Sequence, residues 1–160
     1  MQTPMSQVNP NQNMKERVLF VCIHNSARSV MAEAFLNHFC PDFFQAESAG
    51  LEPGKLNPLA VEVMREVGID IGHKKTRSAF DVYMSGRLFS TVITVCDQAS
   101  AERCPDFPGV SQRLRWNFPD PSTFQGTPQE RLEQTRQVRD LIAAKIQAWC
   151  AEVCRGDQSH

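Results

Sequence analysis

The chain's apolar positions follow two periods that alternate along its length. Val18-Leu19-Phe20-Val21-Cys22 is a continuous apolar run, the pattern of a central parallel strand covered on both faces. After a short polar loop, Ala27, Val30, Met31, Ala34, Phe35 and His38 recur at helical spacing, which predicts an amphipathic helix ending before Pro41. Phe43 to Ala49 reads as a second strand stopped by Gly50. Asn57-Pro58 then forms an N-cap and first-turn proline for a helix striped by Ala60, Val63, Met64 and Val67 and stopped by Gly68. Thr91–Cys96 is a third strand and Arg113–Phe118 a weaker fourth. Thr127-Pro128-Gln129-Glu130 is a capping box opening a long helix striped by Val138, Leu141, Ile142, Ile146 and Trp149. Strands alternating with helices predict an α/β class: a single three-layer domain with a mostly parallel four-stranded sheet flanked by helices. Residues 1–16, rich in Gln, Asn and Pro at their start, read as a disordered tail. The domain spans 17–154, and 155–160 is a flexible end.

Composition narrows this only slightly. The chain's 160 residues are one domain's worth, with 41% apolar and 22% charged side chains, ordinary for a globular protein. A net charge of −1 gives no reason to expect nucleic acid or an anionic membrane as partner. No apolar run approaches the roughly 18–20 residues of a membrane span, and the N-terminus lacks the basic-then-apolar order of a signal peptide. A cytoplasmic protein acting as a monomer is expected. Its six cysteines should then be reduced there, each a free thiol, a metal ligand or a redox-active group.

The candidate chemistry starts where the first strand ends. In Cys22-Ile23-His24-Asn25-Ser26-Ala27-Arg28-Ser29, five residues separate the cysteine from the arginine. A short loop of that length can curl round one tetrahedral oxyanion, with the thiol at its floor and the guanidinium at its rim. A strand–loop–helix setting adds unpaired N–H groups and the positive end of a helix macrodipole. The same field favours the thiolate, the nucleophilic form of cysteine. Cys96 sits at another strand end, and Cys104 follows across the polar loop 97–103, which can carry one thiol towards the other. Spacing alone leaves open whether these two form a redox pair or are unrelated buried thiols. Asp120, between Pro119 and Pro121, is either a rigidly held general acid or a turn aspartate.

Taken together, these motifs resemble the low-molecular-weight tyrosine phosphatase superfamily. The run Val18–Cys22, then Asn25, Arg28, Ser29, Met31, Ala32, Glu33 and Ala34, carries that likeness. Its arsenate reductase branch, the type re-reduced by thioredoxin, is matched by Glu47–Leu51, Asn57-Pro58, Val67–Ile71, Val95–Asp97 with Cys104-Pro105, Phe118–Pro121 and Arg136–Asp140. The resemblance implies a low-molecular-weight-phosphatase-like fold and a set of roles. Cys22 attacks arsenate, while Ile23, His24, Asn25, Ser26, Ala27, Arg28 and Ser29 bind its oxygens, Ser29 also supporting the thiolate. Asp120 protonates the departing hydroxyl. Cys96 attacks the adduct, releasing arsenite and leaving a Cys22–Cys96 disulfide. Cys104 takes that disulfide over, and thioredoxin reduces the Cys96–Cys104 bridge. Glutaredoxin or a low-molecular-weight thiol is the alternative reductant, and no cofactor is implied.

Some positions depart from the pattern. Residue 27 is Ala where relatives often carry a cysteine, outside the three-cysteine relay. Some relatives bind potassium near the loop. Asn25, Glu33 and Ser48 match three of its ligands, but the segment for the fourth reads Lys74-Lys75-Thr76-Arg77, so no metal is expected. A phosphatase is the rival reading, and a non-catalytic redox sensor a third. The phosphatase needs neither Cys96 nor Cys104, and its Asp-Pro is usually followed by aromatic residues, where Ser122 and Thr123 stand here. Cys40, before Pro41, reads as structural; Cys150 and Cys154, four residues apart on one helix face, read either as a redox or metal pair or as packing in the last helix's stripe and lying at a frayed end.

Overall fold

A computed structural model describes residues 15–158, so the expected tail lies almost wholly outside the described residues. Four strands, β1 (Glu16–Cys22), β2 (Phe44–Gly50), β3 (Thr91–Thr94) and β4 (Gln112–Arg115), form one sheet in the order β2-β1-β3-β4. Every pairing is parallel, with Cys22 opposite Gly50 and Val21 opposite Thr94. Five helices accompany it: α1 (Arg28–Phe39), α2 (Pro58–Glu66), α3 (Ala79–Met84), the single turn α4 (Gln98–Ala101) and α5 (Pro128–Gln158). This is the α/β class the alternating periods predicted.

Strand pleating divides the interior. Val18 and Phe20 point into the larger core, built with α1, α2 and α5, where Ala60, Met64, Val138, Ile142 and Ile146 are buried. Leu19 and Val21 point the other way, onto Ala79 and Val82 of α3 and onto Phe89 and Phe107. Burial on both faces is why β1 reads as an unbroken apolar run. Each such large side chain contributes roughly 1.5–3 kcal/mol of transfer free energy.

The helix signals are realised atom by atom. Asn57 Oδ1 accepts from Leu59 N at 2.9 Å, and Gly68 takes a φ of +80° just past the turn that ends α2. At α5, Glu130 Oε1 accepts from Thr127 N at 2.8 Å while Thr127 Oγ1 accepts from Glu130 N at 3.1 Å, a closed capping box.

The structure also corrects several expectations. α1 is not amphipathic: Arg28 to Leu36 are all buried, because the helix is wedged between the sheet and α5, and His38 is exposed. Leu141 is 54% exposed, off the buried face of α5. β3 stops at Thr94, so Cys96 lies two residues beyond it, although Val95 N still bonds Val21 O at 2.9 Å. Helix α3 carries no long periodic stripe and was not foreseen, and the 97–103 loop contains a helical turn. Cys40 and Cys150 are joined in a disulfide, their Cα atoms 6.6 Å apart, rather than standing as separate thiols. The side chain of Cys154 lies outside the described residues.

Candidate active site

In the order β2-β1-β3-β4 the chain winds outward in both directions from the β1–β3 pair. The crevice beyond the carboxyl ends of those two strands is where an open parallel sheet offers its site. Cys22 ends β1 and is 2% exposed. The loop after it is held from below by the chain leaving β2. Leu51 N donates to Cys22 O at 3.0 Å, Glu52 N to Ile23 O at 2.6 Å, Gly54 N to His24 O at 3.0 Å, and Asn57 N to Ser26 O at 2.9 Å. These bonds tie up outward-facing carbonyls, so the loop's geometry is set before any anion arrives.

Gly50 makes this approach possible. A Cβ there would stand 2.7 Å from Asn25 N and 2.9 Å from Ile23 O, closer than real contacts allow, so the loop rests directly on the glycine backbone.

Asn25 takes a φ of +55°, a left-handed conformation that asparagine tolerates better than most residues. That turn aims its N–H at Cys22 Sγ, 3.1 Å away. Its side chain then spans two anchors: Oδ1 accepts from Arg77 N at 2.8 Å, and Nδ2 donates to Ser29 Oγ at 2.8 Å. With that lone pair of Ser29 occupied, its O–H is free to point at Cys22 Sγ, 2.9 Å away. Asn25 and Ser29 thus both contact the one buried sulfur.

Helix α1 begins without a side-chain cap, its N-cap residue being Ala27. Its first N–H groups therefore remain available to an oxyanion held over Cys22. Arg28 is 6% exposed; its Nη1 donates to Phe118 O at 3.1 Å, and its Nη2 lies 3.4 Å from Asp120 Oδ2. Asp120 has the contacts of a turn aspartate and also faces the loop. Oδ1 accepts from Ser122 N at 2.9 Å as a turn aspartate does, while Oδ2 faces the arginine of the loop. His24 Nδ1 meets Glu52 O at 2.9 Å, fixing the ring outside this ring of donors.

Cys96 completes the crevice. Continuing the β1–β3 register, position 95 falls opposite Cys22, and Cys96 follows one residue further along the chain leaving β3. It is fully buried. Burial pushes its thiol up to about 11; Arg28 pulls the other way, and the charges of Cys22 and Asp97 add to the rise. Cys104 packs partly against the smaller core, lining a cavity of about 260 Å³ with Thr94, Arg113 and Leu114. Burial raises its thiol to about 11 as well, against a lowering by Arg113, with Cys96 and Asp106 adding to the rise. Cys22, Cys96 and Cys104 are the free thiols among the described residues.

Sequence reasoning did not single out three supporting groups. Gly50, the Arg77 backbone that anchors Asn25, and the Phe118 carbonyl that receives Arg28 all act through backbone atoms, which leave no residue-type signal. Ser48 Oγ donates to Glu33 Oε1 at 2.5 Å, and the Lys74 ammonium pairs with the other oxygen of Glu33. An ammonium beside Glu33 does not fit a monovalent cation there, and no step below uses one.

Residues 17–159 match the low molecular weight phosphotyrosine protein phosphatase family, and the chain belongs to it. Its similar relatives in that family include arsenate reductases. That of Shouchella clausii is 40% identical over 132 residues, which cover 82% of this chain and 93% of the relative. An arsenate reductase solved in an oxidized state superposes with a TM-score of 0.72 at 27% identity, covering 86% of this chain and 98% of that one. The thioredoxin-dependent arsenate reductase of Corynebacterium glutamicum gives a TM-score of 0.58 at 28% identity, covering 84% of this chain and 63% of that one.

Proposed function

We propose that this protein reduces arsenate to arsenite in the cytoplasm, with thioredoxin as the reductant. Arsenate binds in the loop from Ile23 to Ser29, its oxygens taken by backbone N–H groups and by Arg28. The Cys22 thiolate attacks arsenic, and Asp120 protonates the oxygen that leaves as water. The Cys96 thiolate then attacks Cys22 Sγ. The sulfur–arsenic bond breaks, its electron pair stays on arsenic, and arsenite departs from a Cys22–Cys96 disulfide. Cys104 attacks Cys96 and frees Cys22, and a dithiol protein reduces the Cys96–Cys104 bridge by two further exchanges. The sum is arsenate plus a dithiol giving arsenite, a disulfide and water.

One observation carries this reading: a fully buried thiol, Cys96, beside Cys22 and Arg28 at the end of the neighbouring strand. A hydrolase has no use for a second sulfur there, since water completes its turnover. The relatives named as arsenate reductases, one of them as thioredoxin-dependent, lend the reading further support.

The test is arsenate-dependent NADPH oxidation coupled through thioredoxin and its reductase, with Cys22→Ser, Cys96→Ser and Cys104→Ser beside the wild type. Each variant is expected to lose turnover. Slow aryl phosphate hydrolysis is expected to vanish in Cys22→Ser and survive in Cys96→Ser. Efficient phosphatase activity without arsenate turnover would move the protein to the hydrolytic side of its family.

A further inference from the structure

The relay uses three of the six cysteines, and the structure joins two others. Cys40 closes the C-terminal end of α1, its N–H bonded to Leu36 O at 3.0 Å and its carbonyl accepting from Phe43 N and Phe44 N. Cys150 lies on α5. The bridge between them spans 110 residues of sequence, and both residues are buried, at 9% and 5% exposure. Phe44 and Trp149 stack beside it with ring centroids 5.0 Å apart. Cys22 is at the other pole: α1 runs away from the oxyanion loop, and its twelve residues cover about 18 Å.

We propose that Cys40–Cys150 is a second redox site, separate from the relay: a structural lock of α1 onto α5 that survives turnover. Its formation needs an oxidant of the small-molecule disulfide class. One cysteine thiolate attacks that disulfide and displaces one thiol. The other thiolate then attacks the mixed disulfide and displaces the second thiol, so two cysteines are oxidised and one small disulfide becomes two thiols. In the folded molecule both bridge residues are buried, whereas Cys104 is partly exposed. A thiolate on a protein reductant must reach a disulfide sulfur along the sulfur–sulfur axis, and burial hinders that approach at the bridge. The same reductant pool therefore cycles the relay and leaves the lock closed.

The lock acts on stability through the chain it closes. Joining positions 110 residues apart restricts the unfolded ensemble far more than a short loop does. It holds the end of α1 opposite to the one that supplies Arg28 and Ser29, so opening it loosens the helix without touching the reacting groups.

The experiment is differential alkylation with peptide mapping on the full chain, oxidised with excess oxidised glutathione and then cycled with thioredoxin, its reductase, NADPH and arsenate. Cys22, Cys96 and Cys104 are expected to label during cycling. Cys40 and Cys150 should label only after reduction in denaturant. Cys150→Ala and Cys40→Ala should both melt roughly 5–15 °C below the oxidised wild type, in proportion to the loop closed, and reach the same Tm as each other. Their arsenate turnover at 25 °C should stay within about twofold. Labelling of Cys40 and Cys150 in step with the relay cysteines would make the pair part of the relay. Two free thiols after glutathione oxidation, or an unchanged Tm in both variants, would remove the lock. The glutathione mapping and melting arms need no arsenate activity, so they stand or fall apart from the function proposed above.

Discussion

The loop around Cys22 and the segment from Cys96 to Cys104 are built on opposite plans. The first is clamped at every step: four backbone bonds beneath it, Asn25 locked to Arg77 and Ser29, and Arg28 held by Phe118. The second is a single helical turn whose contacts with the rest include an exposed Arg103–Glu52 pair at 2.6 Å and the partial packing of Cys104. The two half-reactions of the proposed mechanism call for such a difference. Attack on an oxyanion is fastest when donors are already in place and need no reorganisation. A disulfide handed from Cys22 to Cys96 to Cys104 requires sulfurs to move into line in turn, which a clamped segment cannot do. The surroundings of the thiols differ in the same way. Two polar groups meet Cys22 Sγ, while burial pushes the Cys96 and Cys104 thiols up to about 11.

The sharpest way to separate the two plans is Cys104→Ser. Multiple turnover with thioredoxin should fall by more than about a thousandfold, as expected when a covalent step is deleted, yet one arsenite per enzyme should still be released in a single burst. A missing burst would place Cys104 in the first half-reaction. Next in size is Gly50→Ala on the clamped side. The added methyl must push on Asn25 N and Ile23 O, so kcat/KM for arsenate and for an aryl phosphate should fall together by about 10²-fold or more. A loss confined to one substrate would show that the loop is more adaptable than its bonds suggest. Asn25→Ala should follow with a loss of about 10- to 100-fold in kcat/KM for both substrates, because the side chain that ties Ser29 to the Arg77 backbone is gone. An unchanged kcat/KM would reduce Asn25 to a spacer.

The smallest effect is on stability. Cys96 titrates near 9 when unfolded and about 11 when folded. A raised pKa stabilises the fold at pH below about 9, and the contribution is lost as pH climbs from 9 through 11. Two pH units at one buried thiol correspond to about 2–3 kcal/mol. Denaturant midpoints measured at pH 7 and pH 10.5 should therefore drop less in Cys96→Ser than in the wild type. Equal drops would mean that the buried thiol is not what resists high pH.

The parts of the site that were legible in the sequence are those carried by residue type and local spacing. Cys22, Arg28, Ser29 and Asn25 sit within one loop, where chain connectivity already places them together. Asp120 was legible as a rigid carboxylate, but whether it served a turn or the loop depended on Arg28 arriving from 92 positions earlier, and it serves both. Cys96 was visible at a strand end. Its closeness to Cys22 follows only from β1 and β3 being neighbours, which the sheet order decides.

The sequence by itself determined the class of fold, the Cys-x5-Arg loop after the first strand and the cysteines available for the proposed relay. Alternating periods, caps and a Cys-x5-Arg spacing are local properties, expressed within a turn or a strand. Tertiary structure alone decided that α1 is buried all round from Arg28 to Leu36 and that Gly50 is the floor of the loop. It also decided that Lys74 sits beside Glu33 and that Cys40 meets Cys150. Each of those joins segments far apart in the chain, where no local preference can choose the partner and only packing the whole sheet and its helices does.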